Sequence, residues 1–247
     1  MRKRHERIHS PQMGSAVHLW CYGHWGQPVL VFPSAAGFAH EWDAQGMVDA
    51  LAPFINQGKI KLYCPESNIS RSWTNKEAPM AVRIESHKRY EAFIMQTLVP
   101  WIRADCGSDS IRLHTSGTSL GGFFAGLFAL KYPEVFAYAL CMSGRYDLTE
   151  FTEGFCNSDI YFNSPLSFVP GLEGQALQRV RQTHLTLVCG QGLWEEGCIE
   201  ETIALGRLLQ SKHIPNYLDI WGQDVRHDWE WWRRQAVHHM SGLYKLA

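Results

Sequence analysis

The sequence predicts an α/β fold, a mostly parallel central sheet with helices on both faces, built as a single domain over residues 1–247. Three observations lead there. Short apolar runs of strand length alternate with longer runs of helical spacing. Two of the later runs are compact and largely apolar, as in strands buried on both faces. No linker, fixed-period repeat or low-complexity tract divides the chain.

Residues 17–22 alternate apolar and polar positions and stop at Gly23, which reads as a strand. Residues 28–32 form a continuous apolar run between Gly26 and Pro33, and residues 60–64 are a third candidate strand. Over 89–102 the spacing is helical, with Tyr90, Phe93, Ile94, Leu98 and Trp101 on one side, ahead of a short strand at 111–115. A second helix spans 123–131 and is closed by Pro133. The runs 136–142 and 184–189 read as buried parallel strands, 200–211 as a crossover helix, and 217–221 as the last strand. The stretch 145–182 breaks the alternation with Asn157, Pro165, Pro170 and Gly171. A connection that long is uncommon without a role, so a partly helical insertion near residues 145–182, lying over the site, is predicted.

At 247 residues and 45% hydrophobic content the chain can bury one large core. A net charge of −1 creates no field for nucleic acid or an anionic membrane, so a small, nearly neutral substrate is expected. No apolar run approaches the roughly 20 residues of a membrane-spanning helix. Arg2, Lys3, Arg4 and Arg7 precede no apolar run of the kind a secretory signal needs, so a solvated N-terminal end and a cytoplasmic location are expected. The seven cysteines are odd in number and lack C-x-x-C spacing, which argues against a disulfide framework and a zinc site. No metal or organic cofactor is implied, and a homo-oligomer is left open.

The chemistry concentrates at Gly117-Thr118-Ser119-Leu120-Gly121, a G-x-S-x-G pattern after a predicted strand and before a predicted helix. That context makes Ser119 a nucleophile candidate. A sharp strand-to-helix turn exposes its hydroxyl, and the glycines leave room for neighbouring chain to pass. The helix start offers unpaired N–H groups to a developing oxyanion. Nucleophile, acid and histidine follow one another in the α/β-hydrolase order, with the histidine after the last strand. Of twelve histidines only His227 directly follows that strand; His238 and His239 lie too far into the final helix, and His87 and His114 precede the serine. The acid is expected after the strand ending at Cys189, where Glu195 and Glu196 are adjacent, with Asp147 as a third option. The oxyanion donors are expected to be the N–H of Leu120 and one from Pro33-Ser34-Ala35-Ala36-Gly37, with Ala35 nominated and Ala36 as alternative. Phe38, Trp42, Trp73, Trp194 and Trp229 fall where a substrate pocket should lie, although core packing competes for each.

The chain resembles the putative esterase family of α/β-hydrolases, which includes S-formylglutathione hydrolases, feruloyl esterases, enterochelin esterases and mycolyltransferases. The likeness runs over nearly the whole length. It is carried by Val29-Leu30-Val31-Phe32-Pro33, Gly117-Thr118-Ser119-Leu120-Gly121-Gly122, Tyr161-Phe162-Asn163-Ser164-Pro165, Cys189-Gly190-Gln191-Gly192 and His227-Asp228-Trp229-Glu230-Trp231-Trp232. The resemblance implies Ser119, His227 and a carboxylate after Cys189-Gly190. A tryptophan followed by an acid, frequent in the family, favours Glu195, whereas an ungapped match to the mycolyltransferases favours Glu196. The expected function is hydrolysis of small or aromatic acyl esters by a serine carboxylesterase through a covalent acyl-enzyme. Acyl transfer with the same triad, and a non-catalytic binding module on the hydrolase fold, are the alternatives.

Overall fold

Eight strands, β1 (Lys3–Ser10), β2 (Ser15–Tyr22), β3 (Gln27–Phe32), β4 (Ile60–Pro65), β5 (Leu113–Thr118), β6 (Phe136–Met142), β7 (His184–Cys189) and β8 (Asn216–Ile220), form one sheet. Its order is β1-β2-β4-β3-β5-β6-β7-β8 in the computed structural model, which describes residues 1–246. From β4 to β8 every neighbouring pair is parallel; β1 and β2 form an antiparallel hairpin attached antiparallel to β4. The helices are α1 (Glu41–Ala44), α2 (Met47–Ala50), α3 (Ala52–Asn56), α4 (Met80–Phe93), α5 (Val99–Asp105), α6 (Leu120–Lys131), α7 (Ser158–Tyr161), α8 (Pro165–Phe168), α9 (Gly174–Val180), α10 (Cys198–Ser211) and α11 (Trp229–Leu243).

The apolar run of β3 is explained by the two layers around it. Leu30 and Phe32 enter a core with Tyr90 and Phe93 of α4, Phe124 and Phe128 of α6 and Leu205 of α10. Val29 and Val31 point the other way, into a core with Trp42, Met47, Phe54 and α11 residues Trp232 and Ala236. Each such side chain taken fully out of water contributes about 1.5–3 kcal/mol. All seven cysteines are free, and five of them are buried as small apolar groups. No helix is long and apolar enough to cross a membrane among the described residues.

Three expectations need correction. The basic N-terminal stretch is not a solvated end but edge strand β1. Its inward positions are Arg4, Glu6, Ile8 and Ser10, and the two charged ones hide the alternation from a hydropathy reading. The Arg4 guanidinium donates both ways to Asp105 at 2.8 Å, and Lys61 Nζ (2.6 Å) and Tyr63 Oη (2.8 Å) donate to the same carboxylate, tying β1 and β4 to α5. The helix expected over 89–102 begins at Met80 and passes through a π-helical turn, Ile94–Leu98, before α5. Its early turns were hidden because polar residues face inward there: buried Arg83 donates to the carbonyls of Ser72, Trp73 and Phe151, and buried His87 bonds Asn163. The insertion is partly helical as expected, but α8 and α9 pack beside α6 and α10 rather than over Ser119. They line a cavity with Leu130, Lys131 and Tyr132, at the end of α6 opposite Ser119.

Burial pushes His87 and His114 down from 6.5 to about 4. An unfolded imidazole takes up its proton near 6.5 and these two only near 4, so between those values the unfolded chain binds more protons. Stability is therefore full above about pH 6.5 and lost as pH falls towards 4, by up to about 3 kcal/mol per group. Urea midpoints measured at pH 7.5, 6.0 and 5.0 should decline steadily; a flat profile would contradict the burial of neutral imidazoles.

Candidate active site

Ser119 occupies the single residue between β5 and α6, with φ 56° and ψ −124°. Positive φ costs a side-chain-bearing residue about 1–3 kcal/mol, so surrounding contacts must impose it. The glycines show how. A Cβ on Gly117 would sit 2.3 Å from the Gly121 backbone, one on Gly121 2.3 Å from Phe32 O, and one on Gly122 2.7 Å from Met142 O. The start of α6 is thus pressed onto the ends of β3 and β6. Ser119 N donates to Met142 O at 2.9 Å, which holds the turn.

The histidine loop, residues 221–228, is joined to the loop after β7 by equally close packing. A Cβ on Gly190 would meet Val225 O at 2.2 Å, and Gly192 N donates to the same oxygen at 2.8 Å. His227 N donates to Leu193 O at 3.1 Å, and its ring stands edge-on to Trp232 of α11 at 4.8 Å. His227 Nε2 then lies 3.0 Å from Ser119 Oγ, and Nδ1 lies 3.0 Å from Glu195 Oε2.

Local backbone separates the two glutamates. Glu195 N donates to Gly192 O, closing a turn in which Trp194 has φ 65°. That turn drives Glu195 inward, where it is 1% exposed, and leaves Trp194 73% exposed. Glu196 faces solvent. The buried carboxylate is satisfied on all sides: besides His227 it accepts from Ser143 Oγ (2.6 Å), Gly190 N (3.3 Å) and Cys189 Sγ (3.4 Å). Asp147 is turned elsewhere, accepting from Thr149 N, Thr149 Oγ1 and Ser164 Oγ. Burial raises the Cys189 thiol and pushes Cys198 up to about 12, so both remain neutral beside the carboxylate.

The loop after β3 abuts the same turn, since Gly121 touches both Phe32 O and Pro33 O. Ser34 N (2.7 Å) and Ser34 Oγ (2.5 Å) donate to the buried Glu41 carboxylate, whose acidity burial weakens. Ala36 N is engaged by Ser34 Oγ at 3.3 Å. The amides of Ala35 and Leu120 donate to no group among the described residues.

Of the five aromatics expected at a pocket, Trp42 and Trp73 are core residues, 1% and 0% exposed. Trp42 lies on the buried face of α1 in the core layer with Met47 and Trp232, and Trp73, in a turn, packs on His87 at 4.8 Å. Phe38 and Trp194 are exposed, and Trp229 is half-buried against Trp232. Sequence reasoning overlooked Ser143 and Glu41. Ser143, with φ 50°, bridges Glu195 and the Trp232 indole, whose Nε1 donates to its Oγ at 3.0 Å. Its position at the carboxyl end of β6, the edge where open α/β sheets place their sites, was the available signal. Glu41 carried none, since an acid in a first helical turn is ordinary.

A mostly parallel sheet with helices on both faces, and a serine at a strained turn on its carboxyl edge, defines the α/β-hydrolase fold. Solved structures share it over the whole chain. A ferulic acid esterase matches with 15% identity and a TM-score of 0.74, covering 100% of this chain and 99% of that one. An S-formylglutathione hydrolase from Staphylococcus aureus matches with 12% identity and a TM-score of 0.74, over 99% and 96%. Another, from Agrobacterium tumefaciens, matches with 15% identity and a TM-score of 0.72, over 99% and 94%. No curated protein matches the sequence significantly. The family model described as "Putative esterase" matches residues 22–244, and the chain belongs to that family. It is an enzyme that hydrolyses carboxylic esters.

Proposed function

We propose that the chain is a serine carboxylesterase for small or aromatic acyl esters, working through a Ser119–His227–Glu195 triad and a covalent acyl-enzyme. The observation that carries this reading is the unbroken chain from Ser119 Oγ through both nitrogens of His227 to the buried Glu195 carboxylate, with 3.0 Å at each step. Glu195 orients the imidazole and fixes its tautomer, so that Nε2 accepts the hydroxyl proton as Oγ attacks the ester carbonyl. The oxyanion of the tetrahedral intermediate is received by the N–H groups of Leu120 and Ala35. Protonated Nε2 then delivers its proton to the departing alkoxide, leaving the acyl group on Ser119. Water, deprotonated by the same nitrogen, attacks that ester, and as the acyl–Oγ bond breaks Nε2 returns the proton to Ser119 Oγ and the acid leaves.

The Phe38, Trp194 and Trp229 rings follow or flank the oxyanion loop, the acid and the histidine in the chain, and supply an apolar rim for an acyl or aryl group. The shape shared with a ferulic acid esterase supports an aromatic acyl group. Seven unpaired cysteines fit a reducing, cytoplasmic compartment. The folded protein should release p-nitrophenol from its acetate and butyrate esters and be labelled at Ser119 by a fluorophosphonate. Folded protein that does neither overturns the reading.

A further inference from the structure

At the sheet edge beyond β7 a second group of ionisable side chains has no part in this chemistry. Leu218 of β8 packs on Gly206 of α10, so Tyr217 and Asp219 point to the opposite face, towards α11. There α11 presents His238 and His239. The His239 side chain is 8% exposed, and its Nε2 lies 3.1 Å from Asp219 Oδ2. The pair does not meet hydrogen-bond geometry, and Nε2 has no hydrogen-bond partner. His238 is exposed and its ring stands edge-on to His239 at 4.9 Å. One ligating atom from each of Asp219, His238 and His239 lies within 4.8 Å of the other two.

We infer that Asp219, His238 and His239 form a binding site for a divalent transition-metal ion, of the zinc or nickel type. Two imidazoles and a carboxylate are the donor set such borderline ions prefer, with bonds of about 2.0–2.2 Å. Ligand atoms on one ion must approach more closely than 4.8 Å, so the exposed His238 ring has to turn inward from its edge-on contact with Trp221 at 5.9 Å. His239 Nε2 and Asp219 Oδ2 face each other at 3.1 Å, a spacing that one shared cation can bridge. Trp221 Nε1 already donates to Asp219 Oδ2 at 2.8 Å, the kind of outer hydrogen bond that orients a ligating carboxylate. The open side facing solvent is completed by water.

The site joins β8 to α11, the two elements that bracket the loop bearing His227. A bound ion therefore fastens that loop at its base. Glu195, Cys198 and His227 also bring ligand atoms within 4.8 Å, but His227 Nδ1 is already committed to Glu195 and Cys198 is a neutral thiol. Occupation of the two sites is separable by mutation.

Chelator-treated protein, titrated calorimetrically with zinc chloride and then nickel chloride, should bind one ion per chain. At about a hundred times the dissociation constant the Tm should rise by about 5 °C or more. His238→Ala and Asp219→Asn should each weaken binding by about tenfold or more and remove the Tm shift, whereas His227→Gln should bind as the parent does. Absence of saturable binding overturns the inference. So does binding undiminished in either of the first two variants, or lost in His227→Gln.

Discussion

Ser119→Ala should lower turnover of p-nitrophenyl butyrate by 10⁴- to 10⁶-fold, on the order of the losses that follow removal of a serine nucleophile. The backbone should survive the change. Alanine meets the same steric cost at φ 56° as serine does, and the contacts that impose the turn come from Gly117, Gly121, Gly122 and the Met142 carbonyl. An unchanged circular dichroism spectrum and Tm alongside lost activity, with no fluorophosphonate adduct, is the expected pattern. Substantial turnover by this variant would show that hydrolysis does not pass through Ser119.

Glu195→Gln should lower kcat by about 10⁴-fold, because an amide can present N–H instead of oxygen to His227 Nδ1 and so favour the wrong tautomer. The substitution also disturbs a carboxylate that receives Ser143 Oγ at 2.6 Å, so a modest loss of stability accompanies it. Glu196→Gln and Asp147→Asn should each change kcat by less than about twofold. Glu196 faces solvent, and Asp147 closes a turn with Thr149. A profile in which Glu196→Gln is the damaging change would require the loop after β7 to adopt another turn in solution. Measuring kcat for the three variants on one ester separates these outcomes.

The alternation of strand and helix, the position of Ser119 at a strand-to-helix turn and that of His227 after the last strand were legible because each is a local pattern. Apolar runs such as 28–32 and 184–189 report burial on both faces wherever the chain later goes. The glycines at 117, 121 and 122 report a close approach before its partner is known. Element boundaries suffered where polar residues face inward. Arg83 and His87 concealed the first turns of α4, and Arg4 and Glu6 concealed β1, because hydropathy does not register a buried charge or imidazole that is hydrogen-bonded in the fold.

By itself the sequence determined the class of fold, the order of the strands from β2 to β8 and which serine and histidine stand at the carboxyl edge of the sheet. Only the tertiary structure turned Glu195 inward to His227 and Glu196 out to solvent, withdrew Trp42 and Trp73 into the core, and placed Ser143 against Glu195 and Glu41 against Ser34. The reason lies in the range of the forces involved. Periodicity and turn chemistry act over a few residues and are written in the order of the chain. Which of two adjacent carboxylates turns inward depends on the φ of Trp194 and on donors contributed by β6, β7 and the loop before α11, segments up to 52 residues away that meet only when the sheet is assembled.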